Sequence, residues 1–373
     1  MKTEDIKNLL IALEEEIVLN ESEISRALFL DLGKSREEAI MTETGMVLKE
    51  LRSMIKNLKR YRKPKRVRNT ILNFRSKSFI YPEPWGHILI VSPWNYPFNL
   101  SMIPLIGAIA AGNTVTLKTS SKSINTSRVI KKIVEDVFPD YICRVIFGGN
   151  SNAEVLNTKF DYIFFTGGLE TGRLFYEKAA RDMVPVTLEL GGKSPAFLLE
   201  SADLDLAARR IAFGKFLNAG QTCVAVDYCM CPRGKERELR LKILKYVRKF
   251  YGDNPIISRN LGKIISENDY RRLVETLESE DVKFKRDDRR LKIEPTVVIT
   301  DLNSPLMGRE IFGPILPIIP YDYKEKALDY IKSQKMPLAF YIFGSEKEAT
   351  EIAGRMKFGG ASINDTMSHM VGD

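Results

Sequence analysis

The sequence predicts an α/β protein built from two parallel-sheet domains and a protruding β arm. Three observations carry that reading. Two separate series alternate short apolar strands with helix-length segments, one from residue 86 to 165 and one after Glu189. Such alternation signals a parallel sheet covered by helices. At 373 residues the chain exceeds the size at which one core keeps growing, so two domains are the natural expectation. Between the helical opening and the first strand, residues 62–84 turn basic and lose the helical pattern.

The elements follow in order. Over residues 3–60, Ile6, Leu9, Leu10, Leu13 and Ile17 recur at helical spacing, followed by Ile24, Leu28 and Leu30, and a second run spans Met46 to Leu58. These read as covering helices without chemistry of their own. Pro64 keeps the basic stretch Arg62–Arg68 out of a helix interior, and Phe74 to Tyr81 mixes apolar and polar positions as an exposed ribbon does. A two-stranded arm of this kind can pair with another subunit. The first series then runs His87–Val91 (strand), Pro97–Ala111 (helix), Asn113–Lys118 (strand), Ser123–Val137 (helix), Cys143–Phe147 and Asp161–Phe165 (strands). The second has strands at Val224–Cys231, Glu294–Ile299, Ile315–Ile319, Phe340–Phe343 and Ala361–Asn364, with helices at Leu204–Phe216, Lys235–Phe250, Lys324–Ser333 and Glu346–Lys357.

Composition narrows the function classes. With 44% hydrophobic and 28% charged residues the chain is an ordinary globular protein, and no apolar run reaches the roughly 18 residues of a membrane span. The start lacks signal-peptide order, which points to the cytoplasm. Cys143, Cys223, Cys229 and Cys231 form no disulfide framework, and with His87 and His369 the only histidines, neither a zinc site nor a histidine base is supported. The net charge of +9 clusters at Lys56–Arg68 and Lys283–Lys292, without a motif that reads nucleic acid.

Chemistry concentrates in two glycine-flanked turns. Glu189 lies in Leu188-Glu189-Leu190-Gly191-Gly192-Lys193, and Cys223, 34 positions on, lies in Gly220-Gln221-Thr222-Cys223-Val224-Ala225. A thiol with a separate carboxylate suggests a covalent adduct on sulfur, followed by proton removal from water. Cys223 could equally be a buried structural thiol, and Glu189 an exposed edge residue. Asn95, in Ser92-Pro93-Trp94-Asn95-Tyr96-Pro97, offers an amide to an oxyanion or a cap to the following helix. Lys118 ends a strand, where it can meet a ribose or phosphate or simply face solvent. Phe165-Thr166-Gly167-Gly168 before a helix has the geometry of a pyrophosphate turn but lacks G-x-G-x-x-G. Glu310 precedes a turn in Glu310-Ile311-Phe312-Gly313-Pro314. Cys229 and Cys231 sit on an apolar strand and read as structural.

Together, P-W-N-Y-P, L-E-L-G-G-K, G-Q-T-C and E-I-F-G-P in this order resemble the aldehyde dehydrogenase superfamily over essentially the whole chain. Pro64-Lys65-Arg66-Val67, Leu105–Asn113 and Gly220–Ala225 resemble its class 3 and fatty-aldehyde branch. The resemblance implies two Rossmann-like domains plus the arm: an NAD(P)-binding domain over 1–62 and 85–188, an oligomerisation arm over 63–84 and a catalytic domain over 189–373. It implies Cys223 as nucleophile, Glu189 as the base for water and Asn95 in the oxyanion site. Glu310 would hold the nicotinamide ribose and Lys118 the adenosine ribose, with Trp94, Gly167, Gly168, Leu190 and Phe312 lining NAD or NADP. No metal is implied.

Two departures carry expectations. Ser121 stands where the family has a glutamate in K-P-[SA]-E, so repulsion of a 2′-phosphate is absent and NADP should be tolerated beside NAD. The family continues beyond Asn364-Asp365 with a tail that closes the substrate funnel, adds a strand at the dimer interface and in some members carries a membrane anchor. An early stop at Asp373 would then leave a homodimer weakened and activity reduced. The competing functions are a thiol esterase using Cys223 without cofactor, and a shortened, poorly active paralogue that binds nucleotide or a partner subunit.

Overall fold

In the computed structural model, which describes residues 1–370, the chain forms two units: Met1–Asp31 with Arg36–Glu189, and Leu32–Ser35 with Leu190 onward. The last three residues of the 189–373 assignment lie outside the described residues.

The first unit opens with helices α1 (Thr3–Leu19), α2 (Glu21–Leu32), α3 (Arg36–Ala39) and α4 (Gly45–Arg62), with one π-helical turn at Ile40–Thr44 before α4. Ile6, Leu10, Leu13 and Ile17 of α1 are fully buried, as their spacing predicts. Leu30 is not; it points outward from α2. The arm is the antiparallel pair β1 (Lys65–Val67) and β2 (Ser78–Ile80), with Phe74 in the connecting turn rather than in a strand.

There follow β3 (His87–Val91), α5 (Asn99–Ala111), β4 (Thr114–Lys118), α6 (Ile124–Val137), β5 (Cys143–Ile146), α7 (Ser151–Asn157), β6 (Tyr162–Gly167), α8 (Leu169–Asp182) and β7 (Val186–Leu190). The strands stand in the order β5-β4-β3-β6-β7, and the β4–β5, β3–β4 and β3–β6 ladders are parallel. The chain winds outward from β3 to β5 and then crosses back to β6, so the order reverses beside β3. Ligands of such sheets bind at the carboxyl ends of the strands at that point. The N-terminal helices share one core with α5, α6 and the sheet, which makes them the covering layer the sequence predicts.

The second unit contains β8 (Pro195–Leu198), α9 (Leu204–Phe216), β9 (Tyr228–Pro232), α10 (Glu236–Tyr251), α11 (Glu267–Ser279), the small hairpin β10 (Arg286–Asp287) and β11 (Lys292–Ile293), β12 (Thr296–Ile299), β13 (Ile315–Tyr321), α12 (Lys324–Ser333), β14 (Ala339–Phe343), α13 (Glu346–Ala353) and β15 (Gly360–Ile363). Six of the strands make a parallel sheet in the order β12-β13-β9-β8-β14-β15. Several boundaries differ from the sequence reading. The strand expected from Val224 begins at Tyr228, because residues 222–225 form a turn closed by the Ala225 N–H on the Thr222 carbonyl. The helix expected from Pro97 starts at Asn99, and the last helix ends at Ala353 rather than Lys357. Cys229 and Cys231 are fully buried on β9, where burial pushes the Cys231 thiol up to about 12 and Cys229 well above its ordinary value.

Candidate active site

In the first unit, the turns expected to carry chemistry stand at neighbouring strand ends. Val91 is in register with Lys118 on one side and Phe165 on the other, so the turns after β3, β4 and β6 leave the sheet together. The turn after β3 is tightly held. Ser92 N–H donates to the Lys118 carbonyl at 3.0 Å, and Ser101 Oγ lies 2.7 Å from Ser92 Oγ and donates to the Pro97 carbonyl at 2.6 Å. The buried Glu43 carboxylate accepts from the Asn99 N–H at 2.8 Å, and Asn99 Nδ2 donates to the Thr42 carbonyl at 2.9 Å. A carboxylate at a helix N-terminus complements its free N–H groups. The π turn thus anchors the start of α5, two residues beyond the Trp94–Pro97 segment that presents the buried Asn95.

Lys118 is buried, and loss of hydration holds its ammonium below the usual lysine range. Lys122 Nζ lies 5.4 Å over the Trp94 ring, which ties the turns after β3 and β4 together. Ser121 between them is exposed. Within the same turn the buried Thr119 and Ser123 hydroxyls have no hydrogen-bond partner among the described residues. Gly167 ends β6 and Gly168 is the N-cap of the fourteen-residue α8, with open space where a side chain would stand. A cavity of about 490 Å³, lined by Val145–Gly148, Lys131 and Asn150 among others, opens at the end of β5. Orphaned hydroxyls, a buried lysine, a free helix N-terminus and this cavity fit a nucleotide with its phosphates. Glu189 lies exposed on the edge strand β7.

In the second unit three motifs converge. A side chain at Gly191 would run into the Glu310 carboxylate, and the Gly192 N–H donates to that carboxylate. A side chain at Gly220 would run into the Gly313 carbonyl and meet the Lys215 carbonyl at 3.1 Å. At these positions the glycines therefore serve the approach of one motif to another. Glu310 is largely buried; desolvation, reinforced by Asp227, pushes its carboxyl up to about 8 despite the Gly192 N–H and the nearby Lys215 and Lys193.

The segment before Cys223 is strained. Asn218, Ala219 and Gly220 have φ of 52°, 51° and 75°, and only the glycine adopts that region without steric cost. Gln221 holds it: Nε2 donates to the Asn218 and Lys263 carbonyls at 3.1 and 3.0 Å, and Oε1 accepts from the Ile265 N–H at 3.0 Å. Ala225 N–H closes the turn on the Thr222 carbonyl at 2.9 Å, and Tyr341 O–H donates to Val224 at 2.6 Å. Cys223, half-buried, is the one cysteine not enclosed in a core. Strain of this kind collects where geometry is imposed on a reacting group.

Residues 1–372 match the aldehyde dehydrogenase family. The chain belongs to that family. It is 41% identical to the 4,4'-diaponeurosporen-aldehyde dehydrogenase of Staphylococcus aureus, over 99% of this chain and 83% of that protein. It is 37% identical to aldehyde dehydrogenase family 3 member A2 of Pongo abelii, over 96% of this chain and 75% of that one. The solved substrate-bound state of Staphylococcus aureus AldH superposes with a TM-score of 0.97 at 40% identity, covering 100% of this chain and 82% of that chain.

This aldehyde dehydrogenase also contains site residues that sequence reasoning missed. Lys193 Nζ lies 2.5 Å from Asp227 Oδ2 and donates to the Leu306 and Arg309 carbonyls at 2.8 and 2.9 Å, while Asp227 Oδ1 accepts from the Ile311 N–H at 2.9 Å. Together they fix the loop that carries Glu310 and the left-handed Phe312, φ 50°. Lys193 was visible as part of its motif; Asp227 carried no signal, because its partners lie 34 and 84 positions away.

Proposed function

We propose that this chain oxidises an aliphatic or aromatic aldehyde to its carboxylic acid, with NAD or NADP as hydride acceptor. The observation that carries the proposal is the meeting of the L-E-L-G-G-K, G-Q-T-C and E-I-F-G-P segments around a strained turn that delivers Cys223.

In this reading the Cys223 thiolate adds to the carbonyl carbon, making a C–S bond and moving an electron pair onto oxygen. The Asn95 amide and the Cys223 N–H donate to that oxyanion. A nicotinamide held there would supply the acceptor for the hydride lost from the same carbon, and a thioester on Cys223 would remain. Glu189 then takes a proton from water as the water attacks the acyl carbon; the thiolate departs and the acid is released. Lys118 would hold the adenosine ribose, with Ser121 beside it leaving a 2′-phosphate unopposed, and Glu310 would hold the nicotinamide ribose. Trp94, Gly167, Gly168, Leu190 and Phe312 would line the cofactor.

The name of the staphylococcal relative supports a long apolar aldehyde as substrate. The arm, with Ile71 and Leu72 about nine-tenths exposed and Phe74 79% exposed, favours a homodimer. The test is reduced-cofactor formation by the purified chain with hexanal and NAD or NADP, beside a Cys223→Ala control. Steady turnover lost in the control supports the reading. Turnover that survives in the control removes Cys223 from it, and ester hydrolysis without any cofactor response favours the esterase.

A further inference from the structure

The second unit holds a buried charge that the proposed mechanism does not use. Lys215, in the last turn of α9, is fully buried, and its Nζ has no hydrogen-bond partner among the described residues. A buried ammonium is costly to enclose unless it is paired, so its presence here asks for a reason.

The groups facing it are few. Lys215 feels Asp227, Lys193 and Glu310; Glu310 feels Asp227, Lys215 and Lys193; Arg272, whose Nη2 donates to the Ile311 carbonyl at 2.9 Å, feels Asp227, Glu310, Asp269 and Arg309. Two members of this set already satisfy each other. Lys193 saturates Asp227 on one oxygen and the Ile311 N–H takes the other. That leaves Lys215 and Arg272 as the cations beside Glu310; the Arg272 guanidinium is engaged by the Ile311 carbonyl, whereas Lys215 Nζ and Glu310 Oε1 are both buried without a hydrogen-bond partner among the described residues. The backbones converge as well, since a side chain at Gly220 would meet both the Lys215 carbonyl and Gly313 of the Glu310 motif.

We infer that Lys215 is a positioning residue for cofactor binding: its buried ammonium favours the ionised form of the Glu310 carboxyl, the form able to accept from the hydroxyls of the nicotinamide ribose. The inference rests on the proposed role of Glu310 as ribose ligand. Burial drives both groups toward neutrality, the carboxyl up to about 8 and the ammonium down to about 8. Each charge therefore depends on the other, as in any closely coupled pair. Cofactor affinity should strengthen with rising pH as Glu310 loses its proton. Removing the cation should move that transition to higher pH, and a cation that never deprotonates should move it lower.

The experiment is the dissociation constant of NADH and of NADPH, read by fluorescence from pH 6 to 10, for the wild-type protein, K215M, K215R and E310Q, with Tm recorded to confirm folding. The expected result is a midpoint displaced upward by about one pH unit or more in K215M and downward in K215R, with the transition lost in E310Q. Either lysine variant alone decides the matter if the other fails to fold. An unchanged midpoint in a folded lysine variant, with E310Q still weakening binding, overturns the role of Lys215 and leaves that of Glu310 standing. Unaltered affinity in E310Q at every pH overturns the ribose reading and this inference with it. A merely structural lysine would lower Tm without moving the midpoint.

Discussion

The Glu310 carboxylate occupies the space that a side chain at residue 191 would need, so Gly191 and Glu310 form a matched pair across 119 positions of sequence. Gly191→Ala is expected to displace the carboxylate at a packing cost of about 1–3 kcal/mol. The cofactor KM should rise several-fold with a smaller change in kcat. A variant with wild-type KM and Tm would mean that the carboxylate need not sit there.

Lys193 bonds Asp227 and two backbone carbonyls, with its side chain 16% and that of Asp227 4% exposed. Lys193→Met leaves a buried carboxylate without its cation, a loss on the order of 3–5 kcal/mol. Calorimetry should show a clear fall in Tm, and activity recovered at low temperature should retain a raised cofactor KM. Asp227→Asn should be milder, because the amide oxygen can still accept from the Ile311 N–H.

Gln221→Ala removes three hydrogen bonds from the strained segment, each contributing about 1 kcal/mol. The expected signature is a lower kcat with cofactor affinity preserved, because the damage falls on the Cys223 turn. Cofactor titration alongside a single-turnover trace separates the two.

Glu189→Gln should leave acylation intact and remove the base for water. Rapid mixing with aldehyde and NAD should then yield a burst of about one reduced cofactor per site, followed by slow release. Steady turnover at the wild-type rate would assign the proton to another group.

Ser121 is exposed beside Lys118, in a turn where no carboxylate opposes a 2′-phosphate. NAD and NADP should both support turnover, and Ser121→Glu should raise the NADP KM about tenfold while sparing NAD. Strict NAD preference in the wild-type protein would contradict this.

Much of the fold was legible because its signals are local. Leu204–Phe216 and Lys324–Ser333 form helices with the ends their apolar spacing predicts. The sequence reading passed over β8, four residues opening on a proline, and α11, whose exposed face is densely charged. It lengthened β9 backwards because Val224 to Asp227 look like strand in composition, whereas the Ala225 N–H closes a turn on the Thr222 carbonyl. The same limit governs the site. Cys223, Glu189 and Glu310 announce themselves through neighbouring glycines, but Asp227 and Glu43 act through groups as far as 84 and 56 positions away, and they and Lys215 have nothing unusual beside them.

Leu32–Ser35 belongs with the second unit although 154 residues of the first intervene before it resumes. The Leu32 carbonyl accepts from the Lys263 N–H at 2.8 Å, and the Lys263 carbonyl in turn receives Gln221, which steadies the Cys223 turn. During synthesis this tetrapeptide leaves the ribosome long before its partner exists. Closing so wide a loop is slow. The Cys223 turn is therefore expected to be among the last parts of the protein to form, and residues 190–373 expressed alone would lack the piece that steadies it.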